Sequence, residues 1–456
     1  MALVVALALG GGCGQRERPN VLLVVVDTLR ADRLGTYGNQ GGLTPFLDEL
    51  AARGVVFLHA YAASSWTNPS VASLMTSRHQ SQHQVLTFAS MLAAGETTLA
   101  EVLRAHGYAT AGFSANGGLA PGQGFAQGFE TYRAYPTQQR PDTRKMFWPP
   151  EPAATLNRVA LEWLDAQPGG QPVFLYLQYM EPHTPYAPPP DALAHVMNGA
   201  PHPDLPTINV AASVGHMRAL EPEMLVNIQK AYDATVYDLD RSLRTLFAAL
   251  EQRGFLDDAV VVVTADHGEE FRDHGGMGHG KSLYNEVVHV PLLMLTPGDP
   301  AGIVETVTPL VDVAPTVLEL AGIRPPRSFA GQSVCSLLGP HVRCSGAPVA
   351  VEGTALSELN SNANIDRPVP GPHRHALVVG DDKVLTGFEP DQVQFYDLAA
   401  DPDERNPSAF DEPTRHALRE RLAAMVGEAG EDASAPRTRP VDDETRERLR
   451  ALGYAD

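Results

Sequence analysis

Asp27, Thr67, His183, Asp266 and His267 are spread over most of the chain, yet their side chains together could cleave an anionic ester. A hydroxyl that attacks phosphorus or sulfur is feeble at its own pKa, so Thr67 would need a metal or a base to act as a nucleophile. Asp27, Asp266, His267 and the Thr67 oxygen form a four-ligand set for one divalent cation. The mixed oxygen and nitrogen donors suit Zn²⁺ or Mn²⁺, with Ca²⁺ or Mg²⁺ less favoured by an imidazole. Such an ion would ionise Thr67 and draw charge from a substrate oxygen. His183, His279 and Lys281 would neutralise the anion and protonate the leaving group.

The Thr67 segment, ASSWTNPSVAS at 63–73, is small and polar and precedes the helix-compatible run Val71–Thr76. With Pro69 and Ser70 as first-turn residues, backbone N–H groups could face an oxyanion. The competing reading is that Ser64, Ser65, Thr67 and Ser70 only cap a helix. Asp27 could likewise be a helix cap, His183 a loop residue beside prolines, His274 and His279 surface histidines, and Lys281 a solvated charge. Arg30, Asp32, Glu269 and Asp273 read as supports of the site. What weighs against capping is the pattern elsewhere. Asn20–Val26, Tyr108–Ser114, Val173–Met180 and Ala259–Ala265 are continuous apolar runs of the kind that forms buried parallel strands, and each ends in polar residues. These ends supply Asp27, Asn116, His183, and Asp266 with His267. In a parallel sheet all such ends open on one edge, so residues hundreds apart can share a site.

Helical spacing predicts helices over 44–53, 97–106, 153–166, 221–253 and 310–320, another strand over 290–295, and long loops over 117–152 and 187–220. After Pro325 the character changes to short strands at 349–352, 375–379, 383–386 and 394–397 separated by turns, which predicts a small antiparallel sheet. A helix over 415–426, a linker over 428–443 and a last helix over 444–452 complete the chain. The expected divisions are a leader and tether over 1–18, a large α/β unit over 19–325, a smaller α+β unit over 326–427, and a tail over 428–456.

A chain of 456 residues can bury a large core. Its net charge of −20 speaks against nucleic-acid binding, which needs a basic face. Residues 1–13, MALVVALALGGGC, are apolar but too short to span a bilayer. They read as an export signal, similar in shape to that of bacterial lipoproteins, in which Cys13 would be acylated; the alternative is a buried first strand. A lipid on Cys13 would be the chain's one membrane attachment. Cys335 and Cys344 are the other cysteines, and in an exported protein a local disulfide is the natural pairing.

The motifs in their order resemble those of the sulfatase family of the alkaline phosphatase superfamily: PNVLLVVVDTLRAD at 19–32, ASSWTNPSVASLMTS at 63–77, TTLAEVLRAHGYATAGFSAN at 97–116, FLYLQYMEPHTPY at 174–186, TADHGEEF at 264–271, GHGKSLYNEVVHVPLLM at 278–294 and FYDLAADPDERN at 395–406. The resemblance implies an α/β fold with a doubly wound, mostly parallel sheet between helices and a small C-terminal antiparallel sheet. It also implies a metal held by Asp27, Asp266, His267 and the nucleophile, and substrate contacts from His183 and Lys281, with Asn116 and His279 beside them. The departures are specific. Most sulfatases carry Cys or Ser in a C/S-x-P-S-R pattern and convert it to formylglycine, whose hydrate expels sulfate by collapsing to the aldehyde. Here Thr67 and Val71 stand at the first and last of those positions, and Thr28 replaces a second acidic ligand. A threonine ester cannot collapse in that way, so turnover needs a second attack by water or an alcohol. Members resembling lipoteichoic acid synthases and phosphoethanolamine transferases use Thr beside a single metal, whereas nucleotide pyrophosphatase-like members need two. The resulting expectation is an exported, metal-dependent hydrolase that cleaves sulfate, phosphate or phosphonate esters of a glycan, lipid or small molecule through Thr67. An envelope phosphotransferase and a non-catalytic binding protein on the same fold are the rivals.

Overall fold

The computed structural model describes residues 18–134, 153–215, 219–296, 301–340, 342, 344, 351, 353–360, 373–387, 392–431 and 433–438. Cys13, the rest of the leader, residues 135–152 of the first long loop and the expected helix over 444–452 lie outside them.

The branched apolar run Asn20–Val26 forms strand β1 at the centre of an eight-stranded sheet, where both faces are covered. The other strands are β2 (Val55–Phe57), β3 (Ala109–Ser114), β4 (Thr131–Ala134), β5 (Val173–Tyr179), β6 (Ala259–Ala265), β7 (Leu292–Leu295) and β8 (Gly302–Val304). Their order is β8-β2-β7-β6-β1-β5-β3-β4. The registers Val24↔Leu177 and Val24↔Val263 are parallel, so β1, β5 and β6 end at one level, and β3 pairs parallel with β5 beside them. The four strand ends expected to converge therefore do. The strand predicted over 290–295 is divided at Pro291, which has no N–H for a ladder. His289–Val290 pairs with Ala60–Tyr61, while β7 joins the main sheet antiparallel to β6.

The amphipathic helix Pro222–Gln252 buries Ile228, Tyr232, Val236, Leu239, Leu243, Leu246 and Leu250. The segment 187–220, expected as loop, contains the helices Pro190–Met197 and Leu205–Val214. Pro190 and Pro206 fall in first turns, where a missing N–H costs nothing, and Asp204 caps the second helix by accepting from Thr207 N at 2.9 Å.

The C-terminal sheet is antiparallel in chain order: Thr354–Asn360, His373–Val379, Asp382–Thr386 and Val393–Asp397. Its first strand starts after the predicted 349–352, of which only Val351 lies within the described residues and is not in a strand. Alternation sorts its side chains. Ala355, Leu359, Ala376, Val378, Leu385 and Tyr396 meet Tyr61, Trp66, Leu283 and Val287, and Leu356, Leu377, Val384 and Phe395 take Leu418 and Leu422 of the helix Glu412–Glu431. That helix continues into the expected linker. Lys383 falls on the first face, fully buried, and its Nζ lies 2.7 Å from Glu404 Oε1 and donates to Asn285 Oδ1 at 3.0 Å. The small sheet is thus clamped onto the part of the chain that carries Trp66 and the 283–288 segment. Phe329, Val334 and Leu338 still pack in the large core, and Cys335 is bonded to Cys344. Among the described residues no helix is long and apolar enough to cross a membrane.

Candidate active site

Asp27 leaves β1 with its backbone N–H bonded to Tyr179 O at 2.9 Å, so the strand ladder itself sets its position. Thr28 then turns sharply at φ 58°, costly for a β-branched residue. The strain is held by its N–H, 3.4 Å from Asp266 Oδ1, and by its carbonyl, which accepts from Tyr232 Oη at 2.8 Å. Asp266 and His267 leave β6 next door. Gly268 follows because a Cβ there would lie 2.1 Å from Glu286 O.

The helix after the polar segment starts at Thr67, earlier than Val71, and runs to Thr76 entirely buried. Its preceding residue, Trp66, is extended and makes no side-chain cap. Nor does the Thr67 hydroxyl serve the helix. It lies 3.2 Å from Asp27 Oδ2 and 3.3 Å from His267 Nε2. Ser70 Oγ donates to Asp266 O at 2.6 Å and ties the helix to β6. Asn116, beyond β3, donates from Nδ2 to Asp27 Oδ2 at 2.6 Å and lies 3.3 Å from Thr67 Oγ1, while its Oδ1 accepts from Gly118 N.

Asp27, Asp266 and His267 are fully buried and each presents a ligand atom within 4.8 Å of the others. His267 Nδ1 meets Gly268 O at 2.9 Å and must donate there, leaving Nε2 with its lone pair, 3.6 Å from Asp27 Oδ1 and 3.8 Å from Asp266 Oδ1. Asp27 Oδ1 has no hydrogen-bond partner among the described residues. Buried lone pairs facing one another without a donor are costly, and a cation is the group that relieves them. Burial, then the Asp266 charge, pushes the Asp27 carboxyl up to about 6; burial pushes Asp266 up to about 7; burial, then His279, presses His267 down to about 3. The residues present fit a divalent ion.

The other predicted residues form a second group. His183 and His279 are buried with ring centroids 5.0 Å apart, and His279 lies 4.5 Å from the His267 ring. Nδ1 of His279 meets Glu269 Oε1 at 2.9 Å. Lys281 is exposed, with Nζ 3.4 Å from Met277 O and its charge acting on Glu269 and His279. His274 belongs elsewhere: it bridges Glu286 at 2.8 Å and Glu404 O at 3.0 Å, and bonding to Glu286 lifts it to about 9 despite burial. Sequence reasoning missed Gln178, which donates to Asp266 Oδ2 at 3.1 Å. The available signal was an amide inside the apolar run VFLYLQYM. It also missed Tyr232, which accepts from Arg30 N and donates to Thr28 O.

Arg30, expected as a support, is buried and grips Asp32 at 2.8 Å, Asp273 at 3.0 Å and Glu269 O at 3.0 Å. It locks the loop after β1 to the loop after β6. Arg30→Ala leaves Asp273 and the Glu269 carbonyl without this partner, and is expected to destabilise the protein by about 3 kcal/mol, read as a drop in denaturant midpoint. An unchanged midpoint would remove Arg30 from this role.

The Sulfatase family model matches residues 19–323. Arylsulfatase K of Mus musculus is 26% identical over 478 residues, covering 93% of this chain and 84% of the mouse protein. Among solved structures, the phosphonate monoester hydrolase of Agrobacterium radiobacter superposes with a TM-score of 0.74 at 22% identity, covering 93% of this chain and all of that one. A protein solved in complex with its substrate D-glucosamine-2-N,6-O-disulfate superposes with a TM-score of 0.71 at 20% identity, covering 91% and 98%.

Proposed function

Because the chain belongs to the sulfatase family, we propose that it is an exported, metal-dependent hydrolase that cleaves sulfate, phosphate or phosphonate esters through Thr67. Its broad class is that of an ester hydrolase. The observation that carries the reading is the Thr67 hydroxyl, held 3.2 and 3.3 Å from Asp27 and His267 beside Asp27 Oδ1, which has no hydrogen-bond partner among the described residues. Asp27, Asp266, His267 and Thr67 Oγ1 would hold the ion, with Zn²⁺ or Mn²⁺ favoured by the nitrogen donor. When bound, such an ion lowers the pKa of the hydroxyl and withdraws charge from the ester oxygen.

Thr67 Oγ1 would attack the phosphorus or sulfur while Asn116 Nδ2 steadies the oxygen it already reaches. The first turn of the helix Thr67–Thr76 favours negative charge there. His183, His279 and Lys281 would neutralise the anionic ester and protonate its leaving oxygen. Sulfated or phosphorylated glycans, lipids and small molecules all present such a group, and the names of the relatives support sulfate and phosphonate esters in particular. Export is supported by the apolar leader and by the Cys335–Cys344 bridge, a bond that persists in oxidising compartments. Purified protein supplied with Mn²⁺, Zn²⁺ or Ca²⁺ should hydrolyse at least one of an aryl sulfate, an aryl phosphate, an aryl phosphodiester and an aryl phosphonate ester. Transfer to an added alcohol without hydrolysis would instead identify a transferase.

A further inference from the structure

We propose that a cavity between the large unit and the helix Glu412–Glu431 binds a small primary-ammonium compound that also carries a hydroxyl oxygen, such as an amino sugar or an amino alcohol. The site is separate from Thr67 and does not rest on the reading of Thr67 as a nucleophile. The cavity holds about 350 Å³, within the range of small-ligand sites. Val307, Pro309, Val311 and Met425 give it apolar walls, and Asp312 and Gln82 line it beside them.

Asp312 is only 5% exposed. It stands before the helix Val313–Leu320, where a carboxylate would normally cap, yet its side chain makes no cap bond. Oδ1 instead accepts from Gln332 N at 2.7 Å, while Oδ2 accepts no hydrogen bond among the described residues. No Lys or Arg of the described residues pairs with this carboxylate, although Arg421 also lines the cavity. Burial pushes Asp312 up to about 7 against the pull of the Gln332 N–H. A carboxylate held in this way lacks a countercharge, and a buried charge needs one.

Gln82 is 7% exposed and belongs to the short helix Gln80–His83. Its Oε1 accepts from His79 N at 2.8 Å, which fixes the amide and leaves Nε2, without a partner among the described residues, as a donor. The cavity thus offers an anionic acceptor and a neutral donor among apolar walls. An ammonium meets the first, a hydroxyl oxygen the second, and C–H groups the walls. An anion would set a second negative charge against Asp312, and a purely apolar molecule would satisfy neither polar group. Burial presses His79, which also lines the cavity, down to about 4, so its ring stays neutral and supplies no rival charge. The net charge of −20 likewise favours a cation.

The test is calorimetry on the full chain at neutral pH. D-glucosamine and 3-aminopropan-1-ol are the two ligand sources, and D-glucose and N-acetyl-D-glucosamine are sugars without an ammonium group. At least one amine should bind with about one equivalent and raise the thermal midpoint by a few degrees at saturation, while both neutral sugars bind at least about 10-fold more weakly. Binding of the amino sugar alone assigns the cavity to a ring, and of the amino alcohol alone to a short chain. Asp312→Asn, which keeps an oxygen for Gln332 N but no charge, should weaken the amine at least about 10-fold. Met425→Trp, which fills the cavity from the helix and leaves Asp312 in place, should do the same, so the outcome does not hang on the folding of Asp312→Asn. Thr67→Ala should bind as the parent does; loss of binding there would move the amine to Thr67 and overturn the proposal. So would the absence of binding by either amine, equal binding by the neutral sugars, or undiminished binding in Met425→Trp or in folded Asp312→Asn.

Discussion

Thr67→Ala is expected to lower turnover of a competent aryl ester by about 10⁴-fold or more, the scale seen when a covalent nucleophile is removed. The structure makes this a clean substitution. Thr67 is buried, its backbone begins a helix that Ala also favours, and its hydroxyl makes no cap whose loss would unwind the turn. The unfolding midpoint should therefore move by only a few degrees, since one hydrogen bond to Asp27 is worth about 1 kcal/mol. Thr67→Ser restores an oxygen at the same place and should recover most of the lost rate. The measurement is initial rate against active protein, with circular dichroism to verify folding. Activity preserved in Thr67→Ala would remove the hydroxyl from the chemistry, whatever its position.

The second large effect is on the cation. The parent should purify with, or take up, one equivalent of divalent metal, and Asp266→Ala should bind it at least about 100-fold more weakly by mass spectrometry or calorimetry, since losing even an outer-shell partner of a metal costs 10- to 100-fold. Stoichiometric metal in both proteins would refute the ligand set. A pH signature accompanies it. Asp27 and Asp266 are pushed up to about 6 and about 7 from ordinary values near 3.8, chiefly by burial. Between those limits the folded metal-free protein binds more protons than the unfolded chain. Its stability is therefore greatest below about pH 4 with respect to these groups and is lost as pH rises through 6 to 7, by an amount on the order of several kcal/mol for the coupled pair. A chelated sample should show this fall in denaturant midpoint, and addition of metal should flatten it by pairing both carboxylates in their charged form. Equal pH profiles with and without metal would show that the ion binds elsewhere.

Much of this site was legible before any coordinates. The runs ending at Asp27, Asn116, His183 and Asp266 are continuous and apolar because a strand covered on both faces has no polar side, and such strands in parallel must end together. Where one reading of the sequence failed, a local feature had two uses. Prolines in 187–220 read as loop, yet Pro190 and Pro206 sit in helix first turns; Pro291 looked harmless inside a strand, yet divides it between two sheets.

Residue type and order by themselves determined the family, the central sheet, the edge at which its ends open and the roster of groups able to hold a cation, because burial and backbone pairing are written into patterns of period two and of unbroken apolarity. Only the tertiary structure decided that the Thr67 hydroxyl turns away from its own helix toward Asp27 and His267, that Gln178 and Tyr232 brace Asp266 and Thr28, and that the Glu269 carboxylate meets His279 Nδ1. Those outcomes depend on distances between side chains from separate elements, set by close packing of the whole core, and no local spacing along the chain encodes them.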